Sequence, residues 1–255
     1  MKLITFIIVL LIITSFNAQN TAIGKAEKLV FTASYNMSGV LNNIAEVTME
    51  TSEAKTSKAT LLRLKCTAAT YSKWDGFFKI RDLYESYVNP SNLTPYLHNR
   101  DVNEGSYDKA MKYTFDPKTN KVKSVQTKKN KPTENRNLTI HAGTKDIVST
   151  IYSLRLIDFK NMAVGTKKSF TILFDWEEMK GQFTYLGKET INTAIGKKEC
   201  YKLAIGSNQP DVLKGTNSNF LWLTADGNKI PVYGKFKIPV GNGELKIKSV
   251  AGLKN

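Results

Sequence analysis

Apolar and polar side chains alternate along most of the chain. Leu29, Phe31 and Ala33 share one side of the first such run, and Thr32 and Ser34 share the other. Successive side chains of a strand point to opposite faces, so this period of two predicts strands with one buried face. The predicted strands cover residues 29–37, 44–50, 59–67, 74–81, 85–88, 107–115, 122–126, 168–175, 181–186, 189–193, 200–205, 220–224, 230–238 and 243–250.

One segment departs from this period. Residues 147–155 carry apolar side chains at helical spacing, and Thr144 or Asp146 is the candidate N-cap. About a dozen strands joined by short turns are mostly antiparallel neighbours, and so many in one sheet curl, close or fold into two layers. We therefore expect a mainly β protein: a curled antiparallel sheet with one or two short helices, in the form of a β-roll, an open barrel or a two-layer sandwich.

The N-terminus predicts a secretory signal peptide. Lys2 precedes the run Leu3–Ile13, which is apolar except for Thr5, and Ala18 supplies a small residue for cleavage. An uncleaved anchor is the alternative. We expect residues 1–18 to be removed and residues 19–255 to form a single β-rich domain. The composition breaks only near 118–137, and two halves joined there are the alternative.

The expected location is outside the cytoplasm. The domain would be periplasmic, with secretion or association with the outer membrane as alternatives. No apolar run reaches the ~20 residues that span a bilayer, so we expect no transmembrane segment after signal cleavage.

A net charge of +15 raises the question of whether the protein binds nucleic acid or another anionic partner. Only five of the 37 basic residues are Arg, whose planar fork suits phosphates and bases. The densest basic stretch, Lys118–Arg136, contains no aromatic residue for base stacking. We therefore expect no specific nucleic-acid binding and interpret this stretch as a solvated turn and loop. Attraction to anionic polymers or lipid headgroups is the alternative.

The residue types of common active sites do not occur at the required spacings. The sequence has no nucleophile elbow, phosphate loop or dinucleotide glycine motif. His98 and His141 lack metal-ligand spacing, and neither Cys66 nor Cys200 has a neighbouring His. We expect no cofactor and no metal. The sequence leaves open whether the two cysteines form a disulfide or remain thiols.

Arg residues in a Lys-rich chain are candidates for contacts that require the planar guanidinium group. Three of the five, Arg81, Arg100 and Arg155, occur near aromatic and acidic residues. This arrangement predicts a polar ligand-binding cluster. Its members are Arg81, Asp82, Glu85, Tyr87, Arg100, Tyr152 and Arg155. The alternative is a buried ion pair of Arg81 or Arg155 with Asp82, Glu85 or Glu104. An Arg beside a carboxylate lowers its pKa, which opposes use as a general acid.

Several sequence blocks, taken in order, resemble a known family. They are Lys79–Tyr87, Leu93–Pro95, Arg100 with Glu104–Tyr107, Asp146–Arg155, Leu221–Asp226, Ile230–Val232, and Val240–Gly241 before Glu244–Leu245. Their order and spacing are similar to the bacterial envelope family of unknown function DUF3108, from about residue 25 to the C-terminus. The resemblance implies an exported β-rich domain without an established activity.

Three functions fit these observations. The favoured one is non-catalytic binding of an amphiphilic ligand or a protein partner on the concave side of the sheet, the partner being a lipid, a glycan or an envelope protein. A hydrolase acting on envelope glycans through Asp82 or Glu85 is the second, because glycoside cleavage commonly uses carboxylates. The third, a structural assembly subunit, predicts a large exposed apolar patch and no pocket.

Overall fold

A computed structural model describes residues 19–37, 39–208, 218–238 and 241–255. The predicted signal peptide lies outside the described residues. The elements are β1 Lys28–Met37, β2 Val40–Lys55, β3 Thr60–Thr70, α1 Ser72–Asp75, β4 Arg81–Val88, β5 Pro95–Glu104, β6 Tyr107–Asp116, β7 Lys121–Lys128, β8 Glu134–Thr139, α2 Ile147–Ser153, β9 Lys167–Phe174, β10 Glu177–Thr193, β11 Gly196–Ser207, β12 Asn219–Thr224, β13 Pro231–Ile238 and β14 Gly241–Ala251. A 3-10 turn, Leu154–Leu156, follows α2.

All the described strands belong to one antiparallel sheet, which curls without closing. Its order is β8-β7-β6-β5-β4-β3-β2-β1-β14-β13-β12-β11-β10-β9. The N- and C-terminal strands are therefore neighbours in the middle of the sheet, and β8 and β9 are its edges. The predicted class, mainly β with a curled antiparallel sheet and short helices, is confirmed.

The alternation read from the sequence corresponds to the two faces of the sheet. In β6 the buried Met111, Tyr113 and Phe115 alternate with exposed residues, because one face of the strand packs inside the curl. The largest apolar cluster lies under the middle strands and includes Leu29 of β1 and Leu64 of β3. The core therefore occupies the concave side.

Helix α2 packs between strands β3 and β4 on one side and the edge strand β9 on the other. The carboxylate of Asp146 accepts a hydrogen bond from the backbone N–H of Ser149 at 2.9 Å, so Asp146 is the N-cap and Thr144 is not. The same carboxylate accepts a hydrogen bond from Ser86 Oγ of β4 at 2.6 Å, and that hydroxyl lies 3.0 Å from His98 Nδ1 of β5. This buried group attaches the start of α2 to one wall of the curl.

The opposite wall is attached through β9. The backbone N–H of Leu173 donates to the carbonyl of Lys145 at 2.8 Å, and Lys145 forms a parallel bridge to Ile172. The residue before the N-cap thus pairs with the edge strand β9. Helix α2 is held on both sides of the curl.

The turn between β9 and β10 bridges the remaining gap. Asp175 and Trp176 adopt left-handed backbone angles there, with φ of 46° and 73°. The indole Nε1 of Trp176 donates to Ser124 Oγ at 2.7 Å, and its backbone N–H donates to Tyr113 Oη at 3.1 Å. The guanidinium of Arg136 lies 3.5 Å from the centre of the indole. We call these five residues the seam, because they join the β9 end of the sheet to β6–β8.

Three local predictions were wrong. Residues 74–81 are not a strand: they contain the end of α1 and a loop. Strands β5 and β8 were missed, the first because polar residues occupy its buried positions and the second because an edge strand tolerates polar residues on both faces. The basic stretch 118–136 consequently contains β7 and the start of β8, and it is not the solvated loop that was expected.

Candidate functional site

A cavity of about 490 Å³ lies within the curl. Strands β2, β3 and β4 supply one wall, helix α2 supplies another, and strands β9 to β14 supply the rest. Representative lining residues are Val47, Cys66, Val148, Ile172, Ile205 and Leu245. Strands far apart in the order of the sheet therefore face one another across this space.

The lining is almost entirely apolar. Thr150, Gln182 and Ser207 contribute neutral polar groups, and Arg155 is the one charged residue among the described residues that line the cavity. Burial raises the pKa of the Tyr84 hydroxyl in the wall, so that group is neutral at physiological pH. The cavity is therefore an apolar space with few polar groups in its wall.

The charge of Arg155 is compensated within the protein. Its Nη1 and Nη2 donate to the two carboxylate oxygens of Glu27 at 2.5 and 2.7 Å. Its Nε donates to the carbonyl of Asn228 at 2.9 Å, and Nη2 also donates to the carbonyl of Ala22 at 3.1 Å. Arg155 thus ties the N-terminal segment and the β12–β13 turn to the end of α2. The buried ring of Tyr152 lies 5.8 Å from the guanidinium.

Arg81, Glu85 and Tyr87 lie away from the cavity. Arg81 is exposed at the start of β4 and pairs with Asp75 at 2.6 Å. Glu85 accepts hydrogen bonds from Arg63 at 2.5 Å, and Tyr87 lies beside the same Arg63, 6.0 Å from it. Glu85 and Tyr87 alternate with Tyr84 and therefore occupy the outer face of β4.

Asp82 lies on the other face of β4 from Glu85. Its carboxylate accepts a hydrogen bond from the backbone N–H of Asn103 at 2.9 Å. Burial raises the pKa of Asp82 and of its hydrogen-bonded neighbour Glu104, so the pair holds a proton more tightly than free carboxylates do. Asp82 and Glu85 do not face each other across a cleft, which is the arrangement that a pair of glycosidase carboxylates needs.

Arg100 belongs to the wall between the cavity and the seam. Its guanidinium forms an ion pair with Asp175, and Lys109 Nζ donates to the same carboxylate at 2.6 Å. The guanidinium also lies 4.4 Å from the ring centre of Phe174, which lines the cavity. Burial lowers the pKa of Lys109, and Asp175 opposes this shift. Arg100 therefore supports the seam from behind the lining.

The seven predicted site residues do not form one cluster. Arg155 lines the cavity, Arg100 and Tyr152 lie behind its wall, and the others are elsewhere on β4. The alternative of a buried ion pair is correct in kind for Arg155, but its partner is Glu27, and Arg81 pairs at the surface with Asp75. None of the three predicted carboxylate partners was right.

Cys66 and Cys200 are free thiols. Cys66 lines the cavity, whereas Cys200 is buried in the core under the middle strands. Burial raises the pKa of each thiol to about 12. Both are protonated near neutral pH, and a protonated thiol is a poor nucleophile.

Comparisons with known proteins agree with this fold. The family model described as "Protein of unknown function (DUF3108)" matches residues 30–248, which is most of the sequence. The chain belongs to the DUF3108 family. The resemblance read from the ordered sequence blocks is thereby confirmed. No curated protein sequence matches the chain.

Two solved structures are similar to this DUF3108 chain. One is a β-barrel-like protein of the domain of unknown function DUF1849 from Brucella abortus, with a TM-score of 0.57 and 7% identity over 91% of this chain and 98% of that one. The other is a protein with a YmcC-like fold from Bacteroides fragilis, with a TM-score of 0.37 and 8% identity over 90% and 97% of the two chains. The Brucella protein shows the fold alone. Within the described residues no helix is long and apolar enough to cross a membrane.

Sequence reasoning missed the lining of the cavity in this DUF3108 protein. Val47, Phe170 and Ile205 are inward apolar residues of ordinary strands. Period-two alternation marks such residues as buried but does not separate those that pack against the core from those that face an open space. Only the curvature of the sheet makes that distinction, and a single sequence carried no signal for it.

Proposed function

We propose that this DUF3108 protein is an exported, non-catalytic binding protein that holds the apolar part of an amphiphilic ligand in the cavity. The observation that carries the proposal is the cavity itself, about 490 Å³ with an apolar lining whose one charged residue is paired with Glu27. Small-molecule sites are typically about 300–1,000 Å³ and mostly apolar. A hydrocarbon chain gains about 0.8 kcal/mol for each buried methylene.

The cavity also separates this proposal from the two alternatives. An assembly subunit was expected to have no pocket, and here a pocket runs between strands from both halves of the sheet. A glycan hydrolase was expected to use Asp82 or Glu85, and neither residue lines the cavity. The geometry favours ligand retention over both.

Filling the cavity tests the proposal directly. Val47 of β2 and Ile205 of β11 line the space from different walls. We expect Val47→Trp and Ile205→Trp each to weaken binding of the fluorescent fatty acid cis-parinaric acid by about tenfold or more, a difference of 1.4 kcal/mol. The added indole would occupy volume that the acyl chain needs. Fluorescence titration of the purified chain measures the effect.

The matched control is Val125→Trp. Val125 lies on β7, is exposed, and is absent from the lining. This variant should bind the probe as the unsubstituted protein does. The cavity is not the site if Val47→Trp and Ile205→Trp bind the probe as tightly as Val125→Trp does, or if the unsubstituted chain does not bind the probe. Native mass spectrometry of gently purified protein gives a second measurement, a bound mass that solvent extraction removes.

A further inference from the structure

One end of the sheet displays apolar side chains to solvent. The loop after α1 carries Phe77 and Phe78, which are 78% and 46% exposed. Strand β2 begins with the exposed Val40 and Leu41, and Tyr107 is exposed after the β5–β6 turn. We call these five residues the tip. A large exposed apolar patch on a folded protein is often an interaction site.

Hydrogen bonds hold the three segments of the tip together. The indole Nε1 of Trp74 donates to the carbonyl of Asn43, near the β1–β2 turn, at 2.8 Å. The backbone N–H of Gly105 donates to the carbonyl of Lys79 at 2.8 Å, and the ring of Phe78 lies over Gly105. The phenyl groups are therefore presented on a fixed scaffold made from three loops.

The loop itself is braced from within. The backbone N–H groups of Phe77 and Phe78 both donate to the carbonyl of Trp74 at 2.9 Å. The carboxylate of Asp75, the acidic residue of α1, is paired with Arg81. The exposure of two adjacent phenyl groups to water is unfavourable. Their transfer into an apolar phase would remove this cost.

Several lysines lie beside the tip, together with the exposed Asp108. Lys73 and Lys79 flank the two phenylalanines and are exposed. The β7–β8 turn adds Lys129 and Lys131, and the backbone N–H of Lys129 donates to the carbonyl of Asp108, next to Tyr107, at 3.2 Å. Exposed aromatic side chains with lysines beside them match a membrane surface with anionic lipids, where the rings lie at headgroup level and the cations contact phosphate.

We propose that the tip docks this protein onto the surface of an anionic lipid bilayer. Phe77 and Phe78 would insert among the lipids, and Lys73 and Lys79 would contact the headgroups. Binding of this kind depends on buried apolar area together with attraction to anionic lipid. The proposal is independent of cavity binding, since neither phenylalanine lines the cavity.

Vesicle cosedimentation tests the proposal. The probes are vesicles of phosphatidylcholine alone and of equal parts phosphatidylcholine and phosphatidylglycerol. We expect the unsubstituted chain to bind the anionic vesicles and to be released by salt. The Phe77→Ser/Phe78→Ser double variant should bind about tenfold less, and Lys73→Gln/Lys79→Gln should lose its preference for anionic vesicles.

The matched control removes an equally exposed apolar side chain elsewhere. Val164 is 69% exposed in the loop that precedes β9, at the opposite end of the strands. Val164→Ser should sediment with vesicles as the unsubstituted chain does. All variants are made from the complete sequence, so its N-terminal segment cannot explain a difference between them. An unchanged urea unfolding midpoint shows that the double phenylalanine variant is folded.

Three results would overturn the proposal. In the first, the unsubstituted chain stays in the supernatant with anionic vesicles. In the second, Phe77→Ser/Phe78→Ser binds as well as Val164→Ser. In the third, the unsubstituted chain does not bind vesicles, and light scattering shows it to be a dimer whereas Phe77→Ser/Phe78→Ser is a monomer. The tip would then be a contact between two copies of the chain.

Discussion

All three nitrogens of the Arg155 guanidinium donate hydrogen bonds to buried acceptors. The planar fork reaches both oxygens of Glu27 and two backbone carbonyls in different directions. A Lys ammonium at the same place is a point charge on a flexible stem and cannot reproduce this geometry. The substitution would leave buried acceptors unsatisfied, and each of these costs about 1–3 kcal/mol.

Arg155→Lys should therefore lower the free energy of unfolding by about 2–4 kcal/mol. Arg81→Lys is the matched control, because Arg81 pairs with Asp75 at the surface and exposed pairs contribute about 0–1 kcal/mol. Urea unfolding of the two variants measures the difference. Equal losses would contradict the structural role assigned to Arg155.

The sequence indicated that the Arg residues make contacts that require a guanidinium group, but it did not indicate their partners. Their rarity among 32 Lys marked Arg100 and Arg155, and both are buried and paired. Their partners, Asp175 and Glu27, are distant along the chain. A pairing of this kind depends on how the sheet curls, so residue types and local spacing could not predict it.

At the scale of elements, prediction succeeded where one face of a strand is apolar. Strands β6 and β7 alternate strictly and were recognised. Strand β5 was missed because its buried face carries His98 and Arg100, which hydrophobicity does not mark as internal. These two polar residues meet partners from α2 and from the β9–β10 turn. The alternation fails where strands join other elements through polar contacts.

The attachment of α2 to β5 predicts a dependence of stability on pH. Burial lowers the pKa of His98, and Asp146 offsets only part of this shift. Folded His98 therefore stays neutral at pH values where unfolded His, with a pKa of about 6.5, takes up a proton. Stability from this residue is fully present above that pH and is lost as the pH falls below it, by at most about 1.4 kcal/mol per pH unit.

Replacing each histidine separates this effect from other titrations. His98→Gln should lose less stability than the unsubstituted protein between pH 7 and pH 5, since Gln has no proton to gain. His141→Gln is the matched control, because His141 is exposed and lies outside this buried group. Urea midpoints at the two pH values provide the comparison. Identical losses in all three proteins would contradict the role of His98.

At the scale of the whole molecule, the seam joins the two ends of the curled sheet next to Phe174, which lines the cavity. The edge strands β8 and β9 do not pair with each other, so side chains join the two ends in place of a backbone ladder. Trp176 supplies two of these contacts to β6 and β7. The sequence predicted the curled sheet and binding on its concave side. It predicted neither the seam nor the residues that line the cavity, because both depend on how far the curvature brings the two ends together.

Removing Trp176 should open the cavity more often. Trp176→Ala deletes the half-buried indole between the sheet ends, which should cost about 1–3 kcal/mol. The thiol of Cys66 lines the cavity, whereas Cys200 lies in the core under the middle strands. Local opening at the seam would expose the first thiol and leave the second protected.

We therefore expect Trp176→Ala to raise the ratio of Cys66 to Cys200 labelling by N-ethylmaleimide about tenfold, as read from peptide masses. Trp74→Ala removes the same side chain from α1, beside the tip, and should leave the ratio unchanged. Because both thiols are in one molecule, global unfolding raises both rates together and does not change their ratio. A parallel rise in Trp176→Ala would mean that the sheet ends separate only when the whole fold is lost. A selective rise at Cys66 would identify the seam as the route by which a ligand reaches the cavity.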